Sequence, residues 1–274
     1  MTLSPLEPLK RHEDAKLPRT ENTGIWLLQL ESFSKWQDGN IDNRNVFCCY
    51  GIPGAGKTII WYVVSTPTLS NIRSIANVYY GTSYSSVVID YLYSQFHQHP
   101  KIGIACLYAD YKDQNSQNLV NILGSLLHQL LTTTTEIPEE VIQKLQDLRN
   151  RRGKLGTADC IALLKIQLHQ LKRAFICIDA VDELEPKVRR ELFNVLKEFC
   201  ANNIRLFLTG RQHIERDVQK CFQPQYTVVI SASQQDIEVF LRKQILDDPY
   251  AEDAMDKALE RDIIDTIVKK SQGM

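Results

Sequence analysis

Long apolar runs, paired cysteines and an excess of either charge are all missing from this chain. No stretch of its 274 residues approaches the ~18 consecutive apolar residues that a membrane-spanning helix needs. Residues 1–19 carry Pro5, Pro8 and Pro18 among many charges, without the apolar segment of a secretory signal. Lysine plus arginine number 32 against 33 aspartate plus glutamate, so the balance favours neither a nucleic-acid nor a membrane partner. None of the seven cysteines (Cys48, Cys49, Cys106, Cys160, Cys177, Cys200 and Cys221) belongs to a C-x-x-C pair. Cys48, Cys49, Cys106 and Cys177 sit in apolar, strand-like runs. They read as small core residues in a reducing, cytoplasmic compartment, which argues against a disulfide or zinc framework. There is no internal repeat.

What is present begins with a core: 43% hydrophobic residues suffice for one large α/β domain with an appendage, or for two small domains. The chain is organised around Gly51-Ile52-Pro53-Gly54-Ala55-Gly56-Lys57-Thr58, which fits G-x-x-x-x-G-K-[ST], a phosphate-binding loop. In such a loop Gly51, Pro53, Gly54, Ala55 and Gly56 shape a backbone whose N–H groups surround phosphates. Lys57 supplies a compact cation for the β- and γ-phosphates, and the Thr58 hydroxyl holds a magnesium ion. The preceding Val46-Phe47-Cys48-Cys49-Tyr50 suits a buried parallel strand. The following Lys57-Thr58-Ile59-Ile60 can open a helix whose N-terminus faces the phosphates.

Elsewhere strand and helix signals alternate. Residues 1–20 read as a polar lead-in, and residues 25–36 carry Trp26, Leu27, Leu30 and Phe33 at helical spacing. Further strands are expected at 101–108, 174–179, from 203 to about 208 (with Thr209-Gly210-Arg211 following as a turn and a cation) and 226–230. Helices are expected at about 116–131, from 138, at 157–172 and 186–200, from 233, and over 251–270. This alternation predicts a three-layer α/β sandwich over 21–231 with a mostly parallel five-stranded sheet, then a partial helical region over 232–274.

One stretch breaks the pattern. Pro67 cannot sit inside the helix that a phosphate loop launches, and a Ser/Asn/Tyr-rich run follows as far as Ser85. Removing residues 61–84 would join Lys57-Thr58-Ile59-Ile60 to the run from Ser85 through Val87-Val88-Ile89-Asp90, one amphipathic helix. A retained in-frame intron fits, because Trp61-Tyr62-Val63 can be encoded by TGG-TAT-GTN with a GTATGT donor, and Tyr84-Ser85 by TAC-AGN with a CAG acceptor. A genuine loop insertion is the alternative.

Nucleotide hydrolysis also needs a carboxylate on a neighbouring strand and a group that orients water. Asp179, closing Phe175-Ile176-Cys177-Ile178, is placed to fix magnesium together with Thr58. Asp182 or Glu183 in the next turn can polarise water, and Arg211 just past the following strand can sense a γ-phosphate. Neither the N-K-x-D guanine motif nor L-S-G-G-Q is present, which places an ordinary metabolic kinase or GTPase last.

Gly-Ile-Pro-Gly-Ala-Gly-Lys-Thr at 51–58, Asp179-Ala180-Val181-Asp182-Glu183 and Leu208-Thr209-Gly210-Arg211 together resemble a NACHT-type NTPase of the STAND class. The resemblance is to the nephrocystin-3-like N-terminal domain of large fungal receptor-like proteins, and it spans about residues 12–273. Asn22-Thr23-Gly24-Ile25-Trp26-Leu27-Leu28, Asp110-Tyr111-Lys112-Asp113 and the helix over 118–131 are similar too. The resemblance implies a first Walker B carboxylate at Asp179, an acidic pair at Asp182 and Glu183, and a sensor arginine at Arg211. It also implies Mg2+ with ATP or ADP (GTP being the other candidate), an upstream effector domain, and a winged-helix region followed by repeats. The expected function is a cytoplasmic nucleotide-binding signalling switch with slow hydrolysis. A degenerate, non-catalytic fragment that keeps the fold is the alternative, and self-association is left open.

Overall fold

The computed structural model describes residues 3–17, 19–39, 44–51, 84–97, 99–134, 136–150, 153–200, 204–223, 225–230, 233–247 and 256–271. Five short strands form its centre, the first four largely buried: β1 (Val46–Gly51), β2 (Ile102–Tyr108), β3 (Arg173–Asp179), β4 (Ile204–Arg211) and, at the edge, β5 (Gln225–Ile230). They make one sheet in the order β2-β3-β4-β1-β5, and every neighbouring pair is parallel. A parallel sheet is covered on both faces, and for that reason β1 to β4 read as continuous apolar stretches.

Side chains alternate between the two faces. Cys48, Ala105, Ile176 and Leu206 point into a core closed by α4 (Leu119–Thr132), α6 (Thr157–Gln170), α7 (Pro186–Cys200) and α8 (Glu215–Cys221). Helix α5 (Glu139–Asn150) packs on α6 through Val141. Phe47, Cys106, Phe175 and Phe207 point the other way, against α2 (Glu31–Asp38) and α3 (Tyr84–Phe96). Trp36 of α2 lies within ring-contact distance of Phe33, Phe47, Phe175 and Phe207 and is fully buried. The three-layer sandwich expected from the sequence is the architecture observed, with a sheet that is parallel throughout.

Three local readings are refined. Residues 25–36 do not form one helix. A 3-10 turn, Ile25–Gln29, is followed by Leu30 in extended conformation (ψ 133°), and α2 then runs to a left-handed Gly39 at φ 76°. Helix α4 starts later than periodicity suggested, because the Asn118 side chain caps it by accepting from Asn121 N–H. Within residues 1–20, Pro8–Lys16 forms a helix, α1, packed on β2 and α3. After β5 come α9 (Gln234–Asp247) and α10 (Lys257–Ser271), which meet through buried Ile237, Phe240, Ile263, Ile264 and Ile267. Among the described residues no helix is long and apolar enough to cross a membrane.

Candidate functional site

Because the strands are parallel, their carboxyl ends share one rim, where Asp179 and Arg211 end their strands, Asp182 and Glu183 lie in the turn after β3, and the phosphate-loop motif follows β1. Gly51 closes β1 and is in register with Arg211 at the end of β4. Asp179 closes β3. β4 lies between β1 and β3, so Gly51 and Asp179 stand two strand spacings apart, about 10 Å across the sheet. Pro53, Gly54, Ala55, Gly56, Lys57 and Thr58 lie outside the described residues, as does the suspected insertion up to residue 83.

Asp179 is half-buried at the rim, and two hydroxyls converge on its Oδ1. Thr209 Oγ1 lies 2.6 Å away, and Ser85 Oγ at the start of α3 donates to the same oxygen. Burial pushes the Asp179 carboxyl above the ordinary aspartate range; the two hydroxyl bonds counter this, and nearby Asp182 reinforces it. A carboxylate that remains useful as an anion in such a place needs a counter-charge, which a bound cation would supply.

The turn after β3 is tight. Ala180 is left-handed (φ 52°, ψ 47°), a conformation costing about 1–2 kcal/mol for a residue with a Cβ. Its N–H donates to Thr209 Oγ1 at 2.9 Å. A 3-10 turn, Val181–Glu183, then turns Asp182 towards β4 and Glu183 towards the end of β2. Asp182 Oδ1 accepts from the Arg211 N–H at 3.1 Å, and its Oδ2 lies 3.4 Å from Arg211 Nε. The Asp182 side chain is only 5% exposed, against 54% for Arg211, so this aspartate is engaged while the arginine's far end faces solvent. Gly210 makes the approach possible, since a Cβ there would meet Ile214 Cδ1 at 2.7 Å and Asp182 Oδ1 at 3.1 Å. Glu183 Oε2 accepts from Tyr111 N–H at 3.2 Å. Burial raises the Glu183 pKa first of all, with Asp182 and Asp110 adding to the rise and Arg211 and the Tyr111 bond opposing it.

Asp179, Asp182, Glu183 and Arg211 are thus brought together, yet with different partners. Among the described residues no group of three or more His, Cys, Asp or Glu side chains could hold a metal ion by itself. Magnesium does not require one: it is held by one or two carboxylates together with substrate phosphates and waters. The hard oxygen of Asp179 suits that role.

A sequence model of the family described as Nephrocystin 3, N-terminal, matches residues 22–211, well over half of the chain. The chain belongs to this family. No curated protein matches it significantly. The nephrocystin-3 N-terminal match ends at Arg211, the last residue of β4, so β5, α9 and α10 lie beyond it. Thr209 and Ser85 carry contacts to the central carboxylate that sequence reasoning did not assign. The available signal was a single hydroxyl near the end of an apolar strand, Thr209 in Leu206-Phe207-Leu208-Thr209.

Proposed function

We propose that this chain is a nucleotide-binding switch module of the NACHT-type STAND class, taking Mg·ATP, with GTP as the other candidate base. The observation that carries the reading is the rim itself. The phosphate-loop motif follows directly on the carboxyl end of β1, and the exposed Arg211 and the half-buried Asp179 end the next two strands along. Ligands bind at this edge in open α/β sheets. In this reading Lys57 and the loop backbone would hold the phosphates, and Thr58 and Asp179 would hold magnesium, which would supply positive charge beside the bound phosphates. Glu183, whose proton affinity is raised by burial, orients and deprotonates the attacking water. Arg211, swinging from Asp182, reads the γ-phosphate. Hydrolysis is slow, and occupancy acts by shifting the packing of flanking regions.

Isothermal titration with Mg·ATP and Mg·ADP tests this; absence of affinity up to millimolar concentration would overturn it. The rival reading, a fold-retaining fragment without productive binding, draws on Pro67 and the run around it, close behind the phosphate loop. Titrating the chain with and without residues 61–84 separates the two. Binding restored only on deletion favours an insertion lesion.

A further inference from the structure

Thr209 occupies a position that neither the nucleotide motifs nor the family match assigns. An ionised carboxylate can only accept hydrogen bonds and a backbone amide can only donate one. The Thr209 hydroxyl, 2.9 Å from Ala180 N and 2.6 Å from Asp179 Oδ1, therefore receives the amide proton and gives its own to the carboxylate. It is a relay with one permitted direction. The end of β4 thus holds the end of β3 and the turn after it at two points, the second being Arg211 N–H on Asp182 Oδ1.

We propose that Thr209 is a positioning residue for the divalent cation: its hydroxyl fixes both the Asp179 carboxylate and the left-handed Ala180 turn, so that one carboxylate oxygen is occupied and the other is aimed at the ion. This inference rests on the nucleotide-binding reading above and deepens it. Groups that orient a metal ligand typically contribute about 10–100-fold to metal affinity. Ser85 also reaches Asp179 Oδ1, but from another element and without contact to the Ala180 amide. It can orient the carboxylate without holding the turn.

The test uses the whole chain and titrates ATP with excess Mg2+ and, separately, with EDTA. The ratio of the two affinities is the Mg2+ dependence. Thr209→Val, which keeps shape and removes the hydroxyl, is expected to lower that ratio about tenfold or more while leaving the metal-free affinity within about threefold. Thr209→Ser is expected to restore it. In an Asp179→Asn background Thr209→Val is expected to change the ratio no further, because the effect acts through that carboxylate. A Thr209→Val chain with unchanged Mg2+ dependence would overturn the inference while leaving nucleotide binding intact. So would equal loss in both titrations, or a serine variant behaving like valine. If the unaltered chain binds ATP in neither titration, the nucleotide reading fails and takes this inference with it.

Discussion

Asp236→Asn is the most exposing perturbation of how this chain is tied together. Asp236 lies in the first turn of α9, and its buried carboxylate reaches back more than two hundred residues. Oδ1 accepts from Gly24 N–H at 2.9 Å and Oδ2 from Trp26 Nε1 at 3.2 Å, while its own N–H is capped by Ser233 Oγ. Asparagine keeps one oxygen for Gly24 but sets an NH2 against the indole N–H, donor facing donor. Losing a charge-assisted bond costs about 1.5–3 kcal/mol, and neutralising the other adds a fraction more. The longer Trp26 bond argues for the lower half, so the expected loss is about 2–3 kcal/mol. For a chain of this size that lowers the melting temperature by roughly 4–12 °C. Thermal unfolding followed by circular dichroism and by tryptophan emission measures it, with Trp26→Phe as the comparison. Asp236→Asn combined with Trp26→Phe is expected to cost less than the sum of the two single changes, by about 1 kcal/mol. A melting temperature within 1 °C of the unaltered chain would refute the reasoning. So would a separate, earlier transition for α9 and α10 in the unaltered chain, since the latch makes them one unit with the sheet.

Three further outcomes are expected. Asp90 on α3 accepts from His12 Nε2 at 3.0 Å and Arg19 Nη2 at 2.8 Å, with Lys16 Nζ at 3.2 Å. Burial raises its pKa but these bonds outweigh it, leaving the group below the aspartate norm; its contribution is present above about pH 4 and disappears as pH falls below that. Asp90→Asn should therefore destabilise by about 1–2 kcal/mol at pH 7 and by less at pH 3, and equal loss at both in urea titrations would exclude the clamp. Asp179→Asn removes a half-buried charge while keeping an oxygen for Thr209, so Mg2+-dependent ATP binding should vanish while the melting temperature holds or rises, the gain growing as pH climbs from about 4. A fall of more than about 4 °C at pH 7, equivalent to at least ~1 kcal/mol lost, would contradict the burial argument. Glu183→Gln should cut hydrolysis by about 100-fold or more with little change in ATP affinity, whereas Asp182→Asn should alter affinity through Arg211; single-turnover phosphate release distinguishes them, and the reverse pattern would exchange their roles.

The sheet was legible because burial on both faces leaves a simple imprint: Ile102–Tyr108 and Arg173–Asp179 are apolar nearly end to end, and the aspartate that closes the second locates the rim. What escaped was structure held by polar groups. α1 looks solvated in sequence, yet His12 is 4% exposed, bonded to Tyr108 Oη at 2.7 Å and to Asp90, while Arg11 pairs with Asp110 at 2.6 Å. Apolar periodicity cannot register a helix that is docked by hydrogen bonds. The break at Leu30 was hidden for a related reason. Trp26, Leu27, Leu30 and Phe33 keep helical spacing across it, but Gly24 is drawn into a left-handed conformation (φ 76°) with its amide bound to Asp236. A contact so distant in sequence leaves no local trace.

The candidate site shows the same division between residue type and residue role. Three carboxylates within five positions, Asp179, Asp182 and Glu183, are chemically interchangeable on paper, and only their partners separate them. Two hydroxyls point at Asp179, which leaves it suited to a cation. A guanidinium and an amide of one residue occupy Asp182, which makes it the rest position of Arg211. Among the described residues Glu183 accepts from one backbone amide, and burial shifts it towards its protonated form, which suits a proton-exchanging carboxyl. If Asp182 were also the base, Arg211 would have to leave before water could be activated. With Glu183 in that role the arginine can remain paired until a γ-phosphate competes for it. In the proposed switch, metal binding, proton transfer and arginine storage then fall to three separate side chains, Asp179, Glu183 and Asp182, with Thr209 at the end of β4 proposed to hold the first in place.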